Sequence, residues 1–440
     1  MANPQPGKPY TIIKGDTLYD ISNRTYGRPD FWPRIWRANQ KVLKSGDPNL
    51  IFPGEVIYPP NIAERKLTIG KNIKNPEKLR TTLASINLGP KDKDSATLLL
   101  ENREIPLESM RVTRALDTGA DGWSTSIAWV PGLDTELDKL VVQYSYAKAS
   151  VYLGSQLVVN GSLYQSNPEI TKDGIKRILT GYSFTIDAVD SSVRTPYEVN
   201  GRTLEQRASE MVAPLGISAV FLNDSGGPFK RMTANKTDTI FSHLVKYAKQ
   251  RALLVTSSPQ GNLLFTQANL RGRPVTTIEF NESTPNAEEL KANFDGRKRF
   301  NAYKAIGRAP GRKNKGKTES YKFAISKDDS VPRARFKTFQ ADDTTGGNIQ
   351  KAADWEKNKQ LAKAFELSIP VDSWYSTEEN LWTPNTLVTL KSEVLGVPDG
   401  FDLLIKQVEY IFEKDGTRAV LGLIPPQTYT TEPIAEPWKK

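Results

Sequence analysis

Apolar residues recur along this chain in short, changing rhythms, and the changes mark its sections. Tyr10-Thr-Ile-Ile13 is a brief strand-like run closed by the Lys14-Gly15 turn. Asp16 follows as a candidate helix N-cap, and Leu18 and Ile21 fall on one helical face. Gly27 is placed to end that helix, and Asp30 to cap a second one with Pro33 near its first turn. Trp32, Ile35 and Trp36 repeat at three- and four-residue spacing. Asn49-Leu-Ile-Phe-Pro-Gly54 reads as a turn into a second strand at 56–58, which Pro59-Pro60 terminates. The order over 10–60 is β-α-α-β, preceded by a flexible tail at 1–9.

Residues 61–94 are charged and turn-rich, and read as a linker. Strand-like runs then crowd together at 96–100, 110–113, 123–130, 139–146, 150–153, 156–159, 161–165 and 181–189. Turn residues such as Asn160-Gly161 separate them, which predicts a closed or nearly closed β-barrel over 95–195. The rhythm changes at 196–275. Thr203-Leu-Glu-Gln206 is a capping box, and Leu204, Ala208, Met211 and Val212 form one helical stripe. Thr237 caps a second helix with Ile240, Leu244 and Tyr247 on its apolar face. A hairpin at 252–256 and 262–266 completes a small α+β domain. Strands return at 276–280 and 299–307, and a helix rich in Ala, Lys and Glu follows at 349–367. The runs 403–412 and 417–424 flank Asp415-Gly416, a strong hairpin signal. This predicts a second barrel over 276–426 with a helical insertion, then a C-terminal tail at 427–440. The class is α+β and β-rich.

Composition narrows the chemistry. The 440 residues suggest roughly three domains. No cysteine occurs, which excludes disulfides, thiolate metal sites and cysteine nucleophiles. The single histidine, His243, sits in an amphipathic helical segment and reads as a surface or half-buried side chain, so no multi-histidine metal site is expected. No apolar run is long enough to cross a bilayer, and Met1 to Lys8 lacks a signal-peptide core, so synthesis in a cytoplasm is expected. Much of the excess behind the net charge of +10 sits in the stretch 308–317, whose Pro, Gly and Asn content marks a solvated loop. No aromatic residue is interleaved there, so it lacks a base-stacking platform, and no sequence-specific nucleic acid is expected as a partner. No cofactor, metal site or catalytic residue is expected.

Tyr10-Thr-Ile-x-Lys-Gly-Asp-Thr-Leu18, Trp36-x-x-Asn39, Asn49-Leu-Ile-x-Pro-Gly54 and Ile57-x-x-Pro60 together resemble a LysM module. The resemblance implies a shallow groove formed by Gly15, Asp16, Thr17, Leu18 and Tyr19 facing Asn49, Leu50, Ile51 and Phe52. Such a groove would take an N-acetylglucosamine-containing glycan, as in peptidoglycan, or a protein partner, and the residues do not separate the two. Asp16 equally reads as a helix cap, with Leu18, Ile21 and Ile51 as core.

Three further phrases carry a second resemblance: Asp121-Gly-Trp to Pro131, Thr239 to Phe265, and Trp382 to Leu423. They resemble the baseplate hub proteins of contractile phage tails, the Mu hub and late-control D-type family. That family implies two tube-like barrels around an α+β domain, and a homotrimeric ring adapting a sixfold tail tube to a threefold spike. Implied partners are tail tube, central spike and wedge proteins, with the tape measure protein as a further one, in a virion assembled in the host cytoplasm. The rivals are a LysM-targeted peptidoglycan-binding protein or cell-wall hydrolase, and the hub of a tailocin or secretion-type injection system. No hydrolase, P-loop or H-E-x-x-H pattern accompanies the LysM-like segment.

Overall fold

The computed structural model describes residues 4–26, 32–40, 42–44, 51–60, 92–171, 174–280, 289–308, 321–341, 349–377 and 380–430. Gly27, Asp30, Asn49, Leu50, most of the expected linker, the basic stretch beyond Arg308 and residues 431–440 lie outside them. The chain divides into two compact units, Met1–Ala84 and Ser85–Lys440.

In the first unit β1 (Tyr10–Thr11) leads to α1 (Leu18–Tyr26), α2 (Trp32–Asn39) and β2 (Val56–Ile57). The strands pair antiparallel, Tyr10 opposite Ile57 and Thr11 opposite Val56. Ile12, Leu18, Ile21, Ile35, Leu43 and Ile57 make the core, with Trp32 and Trp36 packed against it. Burying an amide here requires partners, and Asn39 has three. Its Nδ2 donates to the carbonyls of Ile35 (2.7 Å) and Tyr58 (3.0 Å), and its Oδ1 accepts from the Tyr58 N–H (2.8 Å). One expectation is corrected: Thr17, not Asp16, caps α1. The Thr17 hydroxyl accepts from the Asp20 N–H at 3.1 Å, because Asp16 is held elsewhere.

The second unit opens with β3 (Ala96–Leu100), β4 (Arg103–Ile105), β5 (Ser109–Ala115) and β6 (Gly122–Ala128). A short α3 (Thr135–Leu140) precedes β7 (Lys148–Leu153), β8 (Gln156–Thr171) and β9 (Gly174–Ser183). Two expected features give way to other structure. The run 139–146 is no strand, because Asp134 caps α3 by accepting from the Leu137 N–H at 3.0 Å. Asn160-Gly161 is no turn but lies inside β8, where the absence of a side chain lets the strands close up. A Cβ on Gly161 would stand 1.8 Å from the Tyr182 carbonyl oxygen. The expected strand 181–189 stops at Ser183, and α4 (Ile186–Asp190) follows.

The small α+β region holds β10 (Glu198–Val199), α5 (Leu204–Val212), β11 (Ala219–Phe221) and β12 (Met232–Thr233). It continues with α6 (Ile240–Lys249), β13 (Leu254–Ser257) and β14 (Leu263–Thr266). The capping box forms as the sequence predicts: the Thr203 hydroxyl accepts from the Gln206 N–H, and the Gln206 side chain accepts from the Thr203 N–H. Leu204, Ala208 and Val212 pack with Ile240, Leu244, Leu263 and Phe265 into one core.

Strands β15 (Thr277–Phe280) and β16 (Lys291–Phe294) precede a separate three-stranded sheet. That sheet comprises β17 (Ala302–Arg308), β18 (Tyr321–Lys327) and β19 (Phe336–Gln340). Helix α7 (Ile349–Ala364) runs directly into β20 (Phe365–Val371). The last strands are β21 (Leu387–Ser392), β22 (Val397–Glu413) and β23 (Gly416–Ile424). Their hairpin turns on Lys414-Asp415, one residue earlier than the sequence suggests, with Gly416 at φ +123° opening β23.

The α+β, β-rich class holds, but the strands of 95–195 and those of 276–426 other than β17, β18 and β19 share one 13-stranded sheet. Its path is β16-β20-β23-β22-β5-β6-β9-β8-β7-β3-β4, and β21 joins it to β15. The connection is β22, whose 17 residues change partner midway. Val397 to Leu404 pair with β21, whereas Gln407 to Phe412 pair with β5. A register shift between Ile405 and Gln407 marks the change, and the Lys406 carbonyl accepts from the Leu116 N–H at 2.9 Å.

Candidate functional site

In the first unit, the loop after β1 and the loop before β2 are joined by backbone bonds. Gly54 N–H donates to the Ile12 carbonyl and Ile12 N–H to the Glu55 carbonyl, each at 2.8 Å. Gly15, Thr17, Tyr19 and Phe52 are exposed there, while Leu18 is buried and Ile51 packs against the core. Asp16 accepts from the Tyr10 hydroxyl at 2.8 Å, from the Ile13 N–H at 3.0 Å, and from Arg24. Of the nine expected groove residues, Asn49 and Leu50 lie outside the described structure, four are exposed, and the other three are turned to internal contacts. Sequence reading missed Glu55, which is buried and accepts from the Lys44 and Phe52 N–H groups, each at 2.8 Å.

In the second unit, the segment between β6 and β7 presents apolar side chains to solvent. Leu133 and Tyr144 are each 81% exposed, with Val130 and Tyr146 also exposed. A buried cation holds this segment to the β8–β9 hairpin. The Arg177 guanidinium lies 3.8 Å from the Trp129 ring centroid and donates to the Val141 carbonyl (2.7 Å) and the Ser166 hydroxyl (2.8 Å). Trp129 in turn donates to Asp138 at 2.7 Å. No spacing in the sequence links Trp129 to Arg177; only the fold brings them together.

Asp121 pairs with Arg114 at 3.2 Å, and burial pushes its carboxyl up to about 6 against the stabilising guanidinium. His243 is 1% exposed, a correction to the surface or half-buried reading, because α6 turns it inward beside Tyr247. Burial, with Arg207 and Lys246 nearby, lowers its imidazole to about 4. Among the described residues no group of three His, Cys, Asp or Glu side chains could hold a metal ion, and no helix is long and apolar enough to cross a membrane.

Known proteins carry the same architecture. Residues 185–267 match the second domain of the gp44-like baseplate hub proteins, and residues 345–432 match the fourth domain of the Mu phage baseplate assembly protein GpP. Over 328 residues the chain is 28% identical to the baseplate hub protein gp44 of Escherichia phage Mu, covering 72% of this chain and 84% of that protein. The 43 kDa tail protein of prophage MuSo2 from Shewanella oneidensis superposes with a TM-score of 0.63 at 22% identity, over 77% of this chain and 99% of that one. A tail protein from Neisseria meningitidis MC58 gives 0.63 at 20% identity, over 77% and 98%. At those identities the two structures share the fold. The class defined by fold and matched domains is that of phage tail baseplate components. Within it, the two matched domains and the likeness to the Mu protein support a baseplate hub.

Proposed function

We propose that the chain is the structural, non-enzymatic hub of a contractile-tail baseplate, three copies closing a ring between a sixfold tail tube and a threefold central spike. The observation that carries this reading is the extent of the likeness to the Mu hub, 84% of that protein's length. The sheet supports it physically. β16 bonds to β20 on one side, and all four of its residues are exposed. An edge of this kind invites pairing, and a closed ring of copies covers it. The exposed apolar side chains of Leu133, Tyr144 and Tyr146 suit contact with a tube, wedge or tape measure protein. Such a hub would be assembled in the host cytoplasm and reside in the virion. Light scattering with negative-stain imaging tests it: a species near three times 49 kDa, seen as a ring with a central hole, is the expected result. A population that stays monomeric when mixed with its tube and spike proteins would count against the ring.

The N-terminal module is read as LysM-like and as a docking piece for other tail proteins. This is favoured because Asp16 is already engaged by Tyr10, Ile13 and Arg24, which leaves its carboxylate little capacity for a sugar. Exposed Tyr19 and Phe52 instead offer apolar contact area. Sedimentation with purified peptidoglycan checks this: retention of the chain in the pellet, lost on Tyr19→Ala, would restore the glycan reading.

A further inference from the structure

A cleft of about 440 Å³ opens in the second unit where α6 and β13 approach α7 and the end of β23. Its volume falls within the range of small-ligand sites. Leu253, Val255, Leu423 and Ile424 line it, yet each is at most 5% exposed. The apolar interior is therefore reached through a narrow opening, too tight for a helix about 10 Å across. Leu423 stands on a strand paired on both sides, opposite Leu367 and Ile405, so it presents a side chain and no free backbone. A peptide laid along β23 would leave N–H and C=O groups unmet, whereas an alkyl chain carries none.

The rim of the cleft is basic. Trp355, Lys359 and Lys363 follow one another at four-residue steps on α7, which places them on one helix face. The ammonium groups of Lys249 and Lys359 lie 5.0 and 5.5 Å from the Trp355 ring centroid. Of the acidic groups lining the cleft, Asp117 pairs with Lys406 at 3.0 Å and Glu366 with Lys298 at 3.4 Å. Those carboxylates are matched by other lysines, and among the described residues Lys359 and Lys363 form no ion pair. We propose that this cleft binds a medium-chain alkyl carboxylate of the fatty-acid type, its chain against Leu253, Val255 and Leu423 and its carboxylate at Lys359 and Lys363. Bound so, the ligand touches the α+β region, α7 and the large sheet at once and stabilises their junction by mass action. The proposal does not depend on the hub reading, and a free monomer suffices to test it.

Calorimetric titration of the full chain with sodium dodecanoate, kept below its micelle-forming concentration, is the test. One-to-one binding is expected, and octanoate, shorter by four methylenes, should bind at least about tenfold more weakly. Dodecyltrimethylammonium carries the same chain with the opposite charge and should bind the parent protein poorly. Lys359→Glu with Lys363→Glu should weaken dodecanoate about fivefold or more, the effect of losing two partly exposed ion pairs. The same double variant should gain affinity for dodecyltrimethylammonium, an inversion that a misfolded chain would not show. Failure of dodecanoate to bind at one-to-one stoichiometry, equal binding of the two head groups by the parent, or a double variant that keeps the parent's preference overturns the proposal.

Discussion

Two of the sheets in the second unit are built from similar strands and stabilised very differently. The large sheet closes on a continuous core that includes Leu98, Val112, Trp123, Leu179, Trp374, Val408 and Leu421. The β17–β19 sheet is covered on one face by α7, and its buried apolar cluster consists of Ala305, Ala341 and Ala353. Phe323 and Phe336 are exposed on its strands, at 61% and 72%, and the Lys304 ammonium sits 4.6 Å from the Phe323 ring centroid. Strand formation thus does not report how much apolar area is removed from water. The large sheet is held mainly by burial. The small one buries less, chiefly Tyr303 of β17 and the alanines under α7, and adds backbone pairing and ion pairs such as Arg299 with Asp328 at 2.7 Å.

The largest expected effect tests the burial side. Trp374 is fully buried and its indole N–H donates to the carbonyls of Ile411 and Arg418, each at 3.1 Å. Trp374→Ala should cost about 4 kcal/mol in denaturant unfolding. A cost near that of a surface change would break the comparison. Next comes the α+β core, stabilised by burial as the large sheet is. The folded protein keeps His243 neutral down to about 4, whereas the unfolded chain protonates it near the ordinary 6.5. Its contribution is fully present above pH 6.5 and is lost as pH falls toward 4, on the order of 3 kcal/mol in all. Thermal melts from pH 7 to 4 should show His243→Met losing less stability than the parent; parallel curves would remove the ring as the cause.

Two glycines sharpen the contrast at smaller scale. Gly161→Ala in the large sheet drives a Cβ against backbone and should cost about 2 kcal/mol or more, read from the denaturation midpoint. Gly307→Ala in the small sheet meets only the Ile349 side chain, nearest at its terminal Cδ1 (2.8 Å), which can rotate away, so its cost should be clearly lower. Smallest of all, Phe336→Ser should change stability by no more than about 0.5 kcal/mol. A larger loss would mean that the open face of the small sheet contributes to the fold after all.

Local signals in the chain were read well where one element carries its own explanation. The Thr203 capping box, the Leu204–Val212 stripe and the Ile240 face of α6 follow from neighbouring residues alone. Readings failed where a distant residue decided. Asn160-Gly161 has turn chemistry, yet the backbone of Tyr182 and Ser183 makes that glycine a point of close approach within a strand. Asp16 has cap chemistry, yet Tyr10 and Arg24 claim its carboxylate and leave Thr17 to cap. In the groove inferred from the LysM resemblance, exposure of Gly15, Thr17, Tyr19 and Phe52 fits a surface role, whereas burial of Leu18 fits the core reading offered beside it.

The sequence by itself determined the β-rich class, the order of elements in the first unit, the helices of the α+β region, the absence of thiol chemistry and the likeness to baseplate hubs, because periodicity, caps and composition are properties of nearby residues. Tertiary structure alone decided that two strand sets become one sheet through β22, that Arg177 finds Trp129, and that lysines from α6 and α7 gather around one apolar cleft. Those outcomes depend on hydrogen-bond edges and side chains meeting across long sequence separations, and no local pattern encodes which edge meets which.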